Sequence, residues 1–127
     1  MRPFGISTYI IGMDETTGAP KLFQTEPSGT ISEWKAGVMG RSAKTVKAAM
    51  EKSYPETAEE LAALDETKTA KFAIESIMEC VESGKNMEVA IMTKDSKVRF
   101  LEADEIEAHI TQINKEKEEA EAAKAKK

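Results

Sequence analysis

Cys80 and His109 are the only thiol and the only imidazole in the chain, and together they are the simplest nucleophile–base couple it could build. Such a couple needs hydrogen-bond reach between the two side chains and a third group to orient the ring. Cys80 falls beside the apolar stripe of one helical pattern and His109 beside Ile110 on another, so structural roles explain both. A single Cys forms neither an internal disulfide nor a thiolate metal site, which points to a reducing compartment. Gly37-Val38-Met39-Gly40-Arg41-Ser42 carries glycines and a hydroxyl, but a phosphate loop spaces its glycines more widely and follows them with Lys and Ser or Thr. These glycines read instead as a strand end and a close strand-to-helix turn. The acidic pairs Asp14-Glu15 and Asp104-Glu105 lack the alternating oxygen ligands of a calcium loop and read as turn and helix-start positions. No catalytic, cofactor-binding or metal-binding residue is assigned, and no cofactor is expected.

Trp34 beside Lys35 could anchor an interface, although an aromatic residue on a half-buried strand is the commoner case. The seven Met residues are scattered over strands and helices, which favours gap-filling over a Met-lined groove. Lys124, Lys126 and Lys127 form a cluster shorter than the basic runs that direct nuclear import.

The elements that must carry these residues fit in one domain at most, because the chain has 127 residues. Its 18 Lys and Arg against 23 Asp and Glu leave a net charge of −5. That balance opposes a protein built to grip phosphate backbones, so no nucleic-acid partner is expected. No apolar run reaches the ~18 residues of a spanning helix, and no signal peptide is visible, so no membrane partner is expected and the location is cytoplasm and nucleus.

Residues 4–12 are rich in β-branched and aromatic types, with Phe4, Ile6, Thr8 and Ile10 on one face and Tyr9 and Ile11 on the other. This predicts a strand buried on both faces. A turn from Asp14 to Pro20 leads to a strand at 21–25, and Pro27-Ser28-Gly29 turns the chain into a strand at 30–38. Ser42 as N-cap, then Ala43, Val46, Met50 and Tyr54, predict a helix over 42–54 that Pro55 ends. Thr57 to Glu60 has capping-box spacing and fits a short helical turn or a loop equally. Ala70, Ala73, Ile74, Ile77, Met78 and Val81 form the stripe of a helix over 67–83, with Gly84 as its stop. Strands at 87–93 and 98–101, joined by Lys94-Asp95-Ser96, precede a helix over 104–113 carrying Ile106, Ile110 and Ile113. Residues 1–113 make up the partial domain, and 114–127 form a solvated, fraying extension without an apolar face.

Strands, then helices, then strands and a helix make a segregated α+β pattern with antiparallel strands and one outer helix layer. Nothing in the sequence covers the other face of the two-sided first strand.

Arg2-Pro3-Phe4-Gly5, Gln24-Thr25-Glu26-Pro27-Ser28-Gly29, Trp34-Lys35-Ala36, Gly40-Arg41, Glu51-Lys52 with Tyr54, Val81-Glu82-Ser83-Gly84, and Lys85-Asn86 with Glu88-Val89-Ala90 resemble the α-type subunits of the 20S proteasome core particle. The resemblance runs through essentially the whole chain, which corresponds to the C-terminal half of such a subunit. It implies half of a four-layer α-β-β-α sandwich of the N-terminal-nucleophile hydrolase kind, with the other half, gate segment included, lying upstream. The related β-type subunits cleave peptides with an N-terminal Thr; here every threonine from Thr8 onward is internal. The resemblance therefore implies a non-catalytic ring subunit in ubiquitin-dependent protein degradation, whose partners are other α subunits and the β-ring. The alternative is a free-standing small α+β interaction module derived from half a subunit.

Overall fold

The computed structural model describes residues 2–81, 84–95 and 97–125. The expected helix end at Glu82 and Ser83, the turn residue Ser96, and Lys126 and Lys127 lie outside them. The fold is α+β, and its strands pair antiparallel in order β1-β2-β3, with a separate β4-β5 pair. The chain divides into two compact units, residues 1–38 with 92–99 and residues 39–91 with 100–127.

The first unit is a meander of β1 (Thr8–Met13), β2 (Pro20–Thr25) and β3 (Ile31–Trp34), and β3 ends well short of the expected 38 because the chain bends at Lys35 and Ala36. β1 is shorter than the strand expected at 4–12. The chain before it bends through Gly5 at φ +68 and leaves Phe4 98% and Ile6 64% exposed. The β1–β2 turn is held by Asp14, whose carboxylate accepts from the amides of Thr16 at 2.9 Å and Thr17 at 2.8 Å. In the β2–β3 turn the Gly29 amide donates to the Glu26 carbonyl at 2.9 Å and the Glu26 amide to the Thr30 carbonyl at 3.0 Å. Gly29 sits at φ +87, the left-handed position that a three-residue hairpin loop demands after its Pro-Ser turn. Lys21 and Glu33 form an ion pair at 2.6 Å across β2 and β3.

The second unit begins with α1 (Ala43–Ser53). Ser42 stands at its N-cap but makes no side-chain capping bond; only its carbonyl is used, accepting from the amides of Thr45 and Val46. Tyr54, forced to an extended ψ of 130° ahead of Pro55, ends the helix. Its ring meets Phe72 edge-on with centroids 6.0 Å apart. The stretch that fitted helix or loop equally is helical: α2 (Ala58–Ala62) starts from a full Thr57/Glu60 capping box.

α3 (Glu66–Ile77) starts one residue before the expected 67 because the carboxylate of Asp65 caps the Lys68 amide at 2.7 Å, and it ends well short of the expected 83, with Met78 to Cys80 continuing as a turn. Its buried face is Ala70, Ile74 and Ser76. The expected stripe is thus rotated: Ala73 is exposed and Ile77 is 42% exposed. Ser76 tolerates burial because its hydroxyl donates to the Phe72 carbonyl at 2.8 Å. Gly84 is buried in a short 3₁₀ turn, where a Cβ would stand 2.8 Å from the Ile110 Cδ1.

β4 (Ala90–Met92) and β5 (Val98–Phe100) are shorter than the strands expected at 87–93 and 98–101. Leu101 instead leaves the strand and is buried, its amide donating to the Val89 carbonyl at 2.8 Å. α4 (Ala103–Ala125) supplies Ile106, Ile110 and Ile113 to a core completed by Ala70, Ile74 and Leu101. In place of a fraying extension from residue 114, the helix continues through Ala125. Lys, Glu and Ala are strong helix formers, and two ion-pairing residues tie this stretch to the α3 segment.

Candidate functional site

The residues with chemical potential are not brought together. Cys80 is exposed and its thiol donates to the Ile77 carbonyl at 3.3 Å. His109 is half-buried on α4, and among the described residues no hydrogen bond joins the two side chains. Among the described residues no three His, Cys, Asp or Glu side chains converge as a metal site would require. A groove of about 530 Å³ is lined by Lys52, Tyr54, Glu60, Leu64 and Lys68, among others. Its polar groups serve the fold: Lys68 donates to the Ala63 carbonyl at 3.0 Å and Glu60 closes the capping box.

What the sequence places deliberately is apolar surface on the first unit. Directly opposed residues of an antiparallel ladder share a face, and the register pairs Ile10 with Phe23 and Phe23 with Glu33, then Ile11 with Leu22 and Leu22 with Trp34. One face therefore carries Ile10, Phe23 and Ile31, with the Lys21–Glu33 pair at its margin. The other carries Tyr9, Ile11, Met13, Leu22 and Trp34. Burial of the first strand on both faces, expected from its composition, is not what the structure shows. Ile10 is 52% and Ile11 48% exposed, with Ile31 at 68% and Trp34 at 44%. Every fully buried side chain among the described residues belongs to the second unit.

The pattern of Phe4 to Ile11 gives away the two-sidedness of β1. That β2 and β3 share it depends on register, which pairs Leu22 with both Ile11 and Trp34 and cannot be read from either strand alone.

The first unit thus presents a three-stranded sheet with apolar residues on both faces and, among the described residues, no fully buried side chain. Comparison with known families supplies the context, because the family model described as proteasome subunit matches residues 1–92. The chain belongs to the proteasome subunit family. It is 48% identical over 125 residues to proteasome subunit alpha type-7 of Cicer arietinum, covering 98% of this chain and 47% of that protein. It is 49% identical over 125 residues to the alpha type-7 subunit of Solanum lycopersicum, again over 98% of this chain and 46% of the relative. Against proteasome subunit alpha type-8 of Mus musculus the identity is 46% over 127 residues, 99% of this chain and 49% of the relative. The chain spans about half the length of the curated relatives it matches. Similarity to the α-type subunits thus runs through both units, the uncovered sheet included.

Proposed function

We propose that this chain supplies the C-terminal half of a non-catalytic α-type subunit of the proteasome core ring, at the position called alpha type-7 in mammalian naming. The observation that carries this reading is the α-type identity over 98% of the chain, coupled to a sheet that lacks a covering layer. In this reading the β1–β3 sheet is one of the two central sheets of the α-β-β-α sandwich. Its partner sheet, and the gate segment, belong to the half that precedes it in the relatives. The subunit contributes ring assembly and substrate gating to ubiquitin-dependent protein degradation in cytoplasm and nucleus. Its partners are neighbouring α subunits and the β-ring.

The role is one of shape. No side-chain constellation for peptide cleavage is invoked, and the chemistry of the complex resides in other chains. Affinity-tagged chain, co-produced with an upstream α-type half, tests the reading: it is recovered in core-particle-sized assemblies with other α subunits. Recovery only as an unassociated monomer, with or without the upstream half, rejects it in favour of a free-standing module.

A further inference from the structure

Past Ile113 the sequence contains no large apolar side chain; Asn, Lys, Glu and Ala fill it to the end. α4 nevertheless runs on through Ala125. Isolated helices shorter than about 12–15 residues are marginal in water even when Ala-rich, so this stretch draws its order from what precedes it and from what it touches. Among the described residues, its ion pairs to the α3 segment fall on two adjacent residues. Glu116 pairs with Lys71, and Lys117 lies between Glu75 at 3.9 Å and Glu79 at 3.7 Å. Gln112, one turn back on α4, donates to the Glu116 carboxylate at 3.1 Å and fixes its direction. Lys71, Glu75 and Glu79 follow one another at helical spacing, so their charges form a single row facing α4.

We propose that this Lys71–Glu116 and Glu75/Glu79–Lys117 network is an ionic-strength-controlled strap that holds the charged end of α4 against α3. α4 is then a helix of two regimes. Up to Ile113 it is held by the burial of Ile106, Ile110 and Ile113, which salt does not screen. Beyond Ile113 it is held by partly exposed ion pairs. The distance over which such charges act shrinks from about 10 Å at ~0.1 M salt to about 3 Å at ~1 M. Raising the salt releases the tail while leaving the core in place, so ionic strength sets how much of α4 is presented as ordered helix. The strap lies wholly within the second unit and does not depend on the ring reading.

Backbone amide exchange on the full 127-residue chain in sodium chloride tests this. Amides of Glu116 to Ala120 should exchange about three- to tenfold faster at ~1 M than at ~0.05 M salt, the scale of a few screened surface pairs. Those of Ile110 and Ile113 should not change. Lys71→Glu and Glu116→Lys singly should loosen the tail already at low salt, and the two together should restore it, because the pair is re-formed with its charges exchanged. Tail exchange independent of salt, a double variant no tighter than either single one, or absence of protection at Ile110 and Ile113 in low salt would each overturn the strap.

Discussion

A Cβ placed on Gly37 would stand 2.6 Å from the hydroxyl oxygen of Tyr9 and 2.8 Å from its Cζ. The ring of a β1 residue is thus seated on the bare backbone that follows β3, fixing how the outer strands of the meander close. Gly37→Ala should force the half-buried ring outward and cost about 1–3 kcal/mol, the usual range for overpacking. With an upstream α-type half bound, so that the sheet is covered, the urea midpoint followed by Trp34 emission, a probe in the same sheet, measures it. Adding Tyr9→Phe removes only the nearest contact and should recover part of the loss.

Ile74 and Ile113 are each 1% exposed and belong to one cluster that joins α3 to α4. Truncating either to Ala should destabilise the second unit by about 2–5 kcal/mol. Ile77→Ala, one turn further along α3 but 42% exposed, should cost far less. Thermal unfolding followed by helical circular dichroism separates the three variants.

The end of α1 and the core stripe of α4 were legible because their causes are local: Pro55 stops α1, and Ile106, Ile110 and Ile113 recur at helical spacing. The spacing of Thr57 and Glu60 left helix and loop open, and only the closed capping box decides for α2. Other features depend on tertiary partners. Ala73 and Ile77 have the right period for burial on α3, yet Ser76 is buried in their place by bonding back to Phe72. Gly84 resembles a helix stop in the sequence, while in the fold it is a point of close approach to Ile110. For the candidate site, composition exposed the two-sided character of β1, but residues 4–7 read as strand because propensity cannot report that a pairing partner is missing.

Asp14 gives the β1–β2 turn a dependence on acid. Hydrogen bonds from the Thr17 amide and hydroxyl, then from the Thr16 amide, hold its carboxyl below the ordinary value of 3.8. A lowered folded-state value means that the ionised group supports the fold. Its contribution is complete above the unfolded value near 3.8 and disappears as pH falls through the lower folded value. Exchange protection of the Thr16 and Thr17 amides should therefore fall in that acid window. Asp14→Ala should remove the protection at every pH, and with it the acid transition.

The apolar faces of the first unit give the prediction with the widest consequences. Burying a large aliphatic or aromatic side chain is worth about 1.5–3 kcal/mol, and whole domains are stable by only about 5–15 kcal/mol. Ile10, Ile11, Ile31 and Trp34, each 44% exposed or more, therefore withhold together about 3–6 kcal/mol, a large share of a domain's stability. Alone, the 127-residue chain should bind apolar dyes, elute later in its association state only on dilution, and lack a sharp melt for the sheet. Trp34 is the only tryptophan, so its emission reports the sheet directly and should be that of a water-exposed indole. Adding an upstream α-type half should shift that emission to the blue and suppress dye binding, since the indole and its neighbours Ile11 and Leu22 would then be covered. α3 and the first half of α4, which share a core of their own, should keep their helical signal in both states. A monodisperse monomer with a sharp transition and no dye binding would mean that the sheet satisfies itself, and that its apolar residues serve something other than a second layer.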